Sequence, residues 1–103
     1  MSRGIRRERQ VRIEMENNDY VVIRAAGSFG PADLLGLRVD RRPRAVEVKS
    51  TIGPYDHFGP ADRADMLAWC ERAGASAWLA WWPKGGRLRW IPSSEWPRAR
   101  VAA

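Results

Sequence analysis

The chain has 103 residues, 45% of them hydrophobic, enough for one domain with a modest core of its own. Its formal net charge is +6, and all but two of its 18 basic residues are Arg, which suits bidentate phosphate contact and points to a polyanionic partner, although GC-rich coding also enriches Arg. A single cysteine, Cys70, excludes an intrachain disulfide and a cysteine-based zinc site, and no apolar stretch approaches the roughly 18 residues of a membrane span.

Residues 3–16 read as a helix, free of Pro and Gly after Gly4. Ile5, Glu8, Val11 and Met15 share one stripe of it, so Glu8 sits on the apolar face. A carboxylate there needs a partner. Either it pairs with a nearby arginine, or it faces a pocket shared with other acidic groups. Arg3, Arg6, Arg7, Arg9 and Arg12 surround it, as a solvated basic face or as phosphate contacts. The basic N-terminus is followed by no apolar region, so the sequence predicts no signal peptide and an intracellular protein.

Asn17–Asn18–Asp19 closes the helix, and Tyr20–Ala26 reads as a strand. Gly27–Pro31 is a loop in which Ser28 is either a hydrogen-bond donor to phosphate or an ordinary turn residue. Asp33 opens the apolar run Leu34–Arg38, and Asp40–Pro43 reads as a turn. In Ala45–Ser50, Val46 and Val48 alternate with Glu47 and Lys49, the period of a strand with one buried face. Residues 52–60 form an irregular connection holding the lone histidine, His57, which is expected to be solvated. Pro60–Ala73 is a helix with Met66, Trp69, Cys70 and Ala73 inward, closed by Gly74; Cys70 reads as a buried structural thiol. Ser76–Trp82 is apolar on both faces, as a covered central strand is. Pro83–Gly86 is a turn, Arg87–Ile91 the last strand, 93–96 a short helical turn and 98–103 a frayed tail. Of the six tryptophans, Trp81, Trp82 and Trp90 cluster around one turn, where an aromatic patch suits a protein interface.

Glu47 and Lys49 project to one face of their strand, roughly 7 Å apart. If the two runs flanking residues 40–43 pair as a hairpin, Asp33 lies level with Glu47. Two such oxygen ligands can hold Mg²⁺ or Mn²⁺, and a lysine beside them can position a water. That is equipment for metal-dependent phosphodiester hydrolysis.

The order helix, three strands, helix, two strands, with Glu8, Asp33 and Glu47–Val48–Lys49, resembles the PD-(D/E)xK nuclease superfamily. Within it, Arg7–Glu8–Arg9, Val22–Ser28 leading to Ala32–Leu35, Val46–Lys49 and the helix 61–73 followed by Ala77–Ala80 resemble the archaeal-type Holliday junction resolvases over residues 5 to 92. The resemblance implies an α/β fold, a restriction-endonuclease-like mixed five-stranded sheet flanked by helices, as a single nuclease domain over residues 1–103. It implies Mg²⁺ on Asp33, Glu47 and the Val48 carbonyl, with Mn²⁺ able to substitute. Glu8 completes the metal shell, Lys49 orients the attacking water, and Ser28 sits on a mobile loop. It also implies branched double-stranded DNA as substrate, a homodimer, and no organic cofactor. DNA contact is expected from Arg3, Arg6, Arg7, Arg9 and Arg24, and dimer contact from Trp81, Trp82 and Trp90. Ala32 stands between Pro31 and Asp33, so the literal Pro–Asp pair is absent, and the chain is shorter than typical resolvases. The leading expectation is a metal-dependent, structure-selective endonuclease making paired cuts in four-way junctions. The alternatives are a related nuclease acting on flaps, nicks or ends, and a catalytically silent DNA-binding module.

Overall fold

The computed structural model describes residues 3–25 and 30–98. Helix α1 (Arg3–Asn17) precedes a meander of three strands, β1 (Val21–Arg24), β2 (Leu34–Arg38) and β3 (Arg41–Lys49). Helix α2 (Pro60–Ala73) then leads to β4 (Ser76–Trp81) and β5 (Arg89–Pro92), and Ser93–Glu95 form a single 3-10 turn. The strands make one sheet in the order β1-β2-β3-β4-β5. Only β3 and β4 run parallel, because α2 carries the chain back between them. This is the restriction-endonuclease-like mixed sheet with flanking helices that the sequence led us to expect.

The period of two along the strands divides the core. Leu34, Val46 and Ala80 turn to the α1 face, where Val11 and Met15 meet them. Ala45, Ala77 and Leu79 turn to the α2 face, against Met66, Cys70 and Phe58. Gly36 of β2 lies under α1, and a Cβ there would run into Met15 Cε and Tyr20 Cδ1. Gly74 ends α2 in the left-handed conformation, φ 66°, with its N–H donating back to the last turn.

Three local expectations need correction. The segment 40–43 is not all turn: the turn is Val39–Asp40, and β3 already begins at Arg41. Pro43 is tolerated inside this strand because the β2–β3 register is irregular between Gly36 and Arg38, and pairing with β4 starts only at Arg44. The inward stripe of α2 is Arg63, Met66 and Cys70, with Trp69 half-buried and Ala73 exposed at the C-terminal end. The first strand covers Val21–Arg24 and the last Arg89–Pro92, each displaced from its sequence-based limits. Of the predicted tail, residues 99–103 lie outside the described residues. Among the described residues, no helix is long and apolar enough to cross a membrane.

Candidate active site

The hairpin register decides what meets at the end of the sheet. Leu34 pairs with Val46, and the Asp33 N–H donates to the Val46 carbonyl at 2.9 Å, which brings Asp33 level with Glu47. The Val48 N–H donates to Asp33 Oδ2 at 2.8 Å, so the aspartate is fixed against the backbone of β3. A strand residue points its N–H and C=O to the same side, so the Val48 carbonyl faces Asp33 as well. Glu47 and Lys49 stand on the α2 face of β3 and line a cavity of about 220 Å³ together with His57 and Asp62.

The electrostatics of this corner are strained. The Glu47 carboxyl is pushed up to about 9, first by burial, then by its hydrogen bond with Asp33 and the charge of that neighbour. Lys49 pulls the other way, and Asp62 adds to the rise. Two close carboxylates with a carbonyl beside them are hard oxygen donors that a divalent cation would relieve, so the residues fit such an ion. Among the described residues, no group of three His, Cys, Asp or Glu side chains gathers into a ready-made cage. The pair and the carbonyl would leave further positions to water and phosphate oxygens.

Glu8 does not join the pair. It forms an ion pair with Arg24 of β1, the other role open to a half-buried carboxylate on this stripe. Arg24 is nonetheless close to the site, because the neighbouring Ala25 N–H donates to the Asp33 carbonyl at 2.9 Å. Arg6 and Arg9 are exposed on α1, and Arg7 stacks on Trp82 with its Cζ 4.4 Å from the ring centroid. Ser28 lies outside the described residues, as does the side chain of Arg3.

The three tryptophans are occupied within the chain. Trp81 Nε1 donates to the Thr51 carbonyl at 3.0 Å, Trp90 Nε1 donates to Glu14 Oε1 at 3.0 Å, and Trp82 carries Arg7. Of the exposed apolar side chains, Val21, Ile23 and Leu37 lie together on the α2 face of β1 and β2, beyond the cover of α2. Cys70 is buried, and burial pushes its thiol up, which makes it inert.

Sequence reasoning passed over two side chains at the site. Asp62 lies in the first turn of α2, and its nearness to Glu47 depends on the path of the loop before α2. His57 was expected to be solvated, and it is exposed, yet it borders the same cavity with a left-handed backbone, φ 57°. A positive φ on a non-glycine residue was the kind of signal only the structure could give.

A family model described as archaeal Holliday junction resolvase (Hjc) matches residues 1–101. No curated protein matches the chain. Among solved structures the chain is similar to Hjc of Archaeoglobus fulgidus, described as a Holliday junction resolvase from an archaeal hyperthermophile. The TM-score is 0.79 at 23% sequence identity, covering 96% of this chain and 80% of that one. At that identity the structural likeness speaks for the fold.

Proposed function

The chain belongs to the archaeal Holliday junction resolvase family and is a Holliday junction resolvase by that membership; we propose that it works as a single Mg²⁺-dependent nuclease domain over residues 1–103, paired in a homodimer. The observation that carries the catalytic part is Asp33 level with Glu47, tied to the β3 backbone, with Lys49 on the same face.

In this reading Asp33, Glu47 and the Val48 carbonyl would hold the ion. When bound, Mg²⁺ (or Mn²⁺) supplies charge neutralisation at the phosphate and a more acidic water. Lys49 holds the attacking water by hydrogen bonding and keeps it aligned with the scissile phosphorus. Arg24, steadied by Glu8, contacts a non-bridging phosphate oxygen, so Glu8 acts through Arg24. Arg6, Arg7 and Arg9 line the approach of the DNA backbone, and the family resemblance assigns phosphate contact to Arg3 and a part in the reaction to Ser28. Asp33 must lose its hydrogen bond with the protonated Glu47 carboxyl for both to serve as ligands.

One such site cuts one strand, and a junction needs two matched cuts. A two-fold dimer presents two sites with the symmetry of the substrate. Since Trp81, Trp82 and Trp90 are engaged inside the chain, the apolar strip of Val21, Ile23 and Leu37 is the surface better suited to carry the dimer contact. The test is a cleavage panel of four-way junction, flap, splayed and linear duplex DNA with Mg²⁺. Paired cuts confined to the junction are expected. Preferential cutting of flaps or ends would replace the junction as substrate, and no cutting of any of them would leave a binding module.

A further inference from the structure

Lys49 ends β3, and the chain leaves the sheet there through Ser50 and Thr51. A second cavity, of about 340 Å³, opens at this point, away from the one that Glu47 lines. Arg7 of α1, Ser50, Thr51, Trp82 and Lys84 wall it. Three features give it a definite chemistry. First, its lining carries two cations, Arg7 and Lys84, and no carboxylate. Second, Arg7 is placed rather than loose, stacked on Trp82, and the backbone N–H of Trp82 donates to the Lys49 carbonyl at 2.8 Å, which fastens the turn bearing the exposed Lys84 to the catalytic strand. Third, Arg7 covers the Trp82 ring, so that ring is not offered to a base, and what remains for a ligand is charge and hydroxyl groups. Thr51 Oγ1 donates to the Gly53 carbonyl at 2.6 Å, leaving the Ser50 hydroxyl as the free donor among the two.

We propose that this cavity is a phosphate subsite in which Arg7, Lys84 and the Ser50 hydroxyl grip a non-scissile phosphodiester of the strand being cut. Because Ser50 directly follows Lys49, the gripped phosphate is a near neighbour of the one cleaved. The subsite sets the register of the strand, so that the scissile phosphate arrives opposite Asp33 and Glu47. The proposal rests on the resolvase reading and deepens it: the β4–β5 turn becomes part of the substrate path.

Binding of the whole protein to a synthetic four-way junction, measured in EDTA so that nothing is cut, tests it. Lys84→Ala should weaken binding about three- to tenfold at low salt and make the slope of log affinity against log salt shallower by about one. Arg72→Ala, which removes an equally exposed charge from the last turn of α2, should leave both unchanged. A walk of single neutral methylphosphonates around the cut position should find one linkage where the wild type loses affinity and Lys84→Ala loses no more. An unchanged slope for Lys84→Ala, or losses that add at every linkage, would overturn the subsite. A wild type that resolves junctions alongside an unaffected Lys84→Ala variant overturns the subsite alone. A wild type that neither prefers nor cuts junctions overturns the resolvase mechanism with it.

Discussion

Without a cation, Glu47 is a carboxyl that burial and Asp33 hold protonated up to about 9. Its folded-state value lies above the ordinary 4.5, so the folded chain keeps a proton that the unfolded chain gives up. Between those two values each rise in pH therefore favours unfolding. The metal-free protein should melt at progressively lower temperature as pH is raised through that window, and Glu47→Gln should flatten the decline. A wild-type melting temperature that rises with pH across the window would contradict the protonated carboxyl. Ion and proton compete for the same oxygens, so the gain in melting temperature on adding Mg²⁺ should grow with pH. Asp33→Asn and Glu47→Gln should each cut the cleavage rate about a hundredfold or more while junction affinity in EDTA stays within a few-fold of wild type. Both variants retaining a tenth of the wild-type rate would remove these residues from the metal site.

At the scale of the elements, the loop from Ser50 to Gly59 is what carries His57 and leads to Asp62 beside Glu47. Phe58 pins it: the side chain is fully buried and meets the Trp96 ring edge-on, with centroids 5.1 Å apart. Phe58→Ala should cost about 3–5 kcal/mol by urea unfolding, and a loss under 1 kcal/mol would mean the anchor is elsewhere. How much was legible in the sequence divides along the same line. The β2–β3 hairpin could be read because Val46 and Val48 alternate with Glu47 and Lys49, and its register then followed from one short turn. Pro43 misled, since a proline ordinarily ends a strand and only the local bulge makes room for it. Arg63 escaped notice because its burial depends on a tertiary partner: its Nη1 donates to the Phe58 carbonyl at 2.6 Å. Glu8 was placed on the correct face of α1, but a helical stripe does not say whether a carboxylate there meets a cation or a second carboxylate. The Lys84 cavity was invisible for a related reason: Arg7, Ser50 and Lys84 are far apart in sequence and meet only because β3 and β4 end together.

For the whole molecule, the formal charge of +6 should dominate the energetics of DNA binding. If about six to ten phosphates are contacted, junction affinity should fall about 10³–10⁵-fold between 50 and 200 mM salt. A flat dependence would mean that the arginines face away from DNA. The protein should sediment at about twice the chain mass of 11.7 kDa at micromolar concentration. Val21→Lys with Leu37→Glu should return it to one chain mass with an unchanged circular dichroism spectrum; a dimer surviving both changes would move the interface off this strip. The sheet's mixed pairing also has a bearing on how the chain folds. Asp33 and Glu47 meet through a hairpin, a contact closed over a short length of chain, whereas β3 and β4 can pair only after α2 has been threaded between them. Above about pH 9, where Glu47 is ionised in the folded chain as well, the repulsion between the two carboxylates is then felt early on the folding route, before most of the parallel pairing exists. Removing it with Glu47→Gln in metal-free solution above about pH 9 should speed refolding in stopped-flow traces more than it slows unfolding, so there this enzyme's need for two close negative charges acts as a brake on its own assembly.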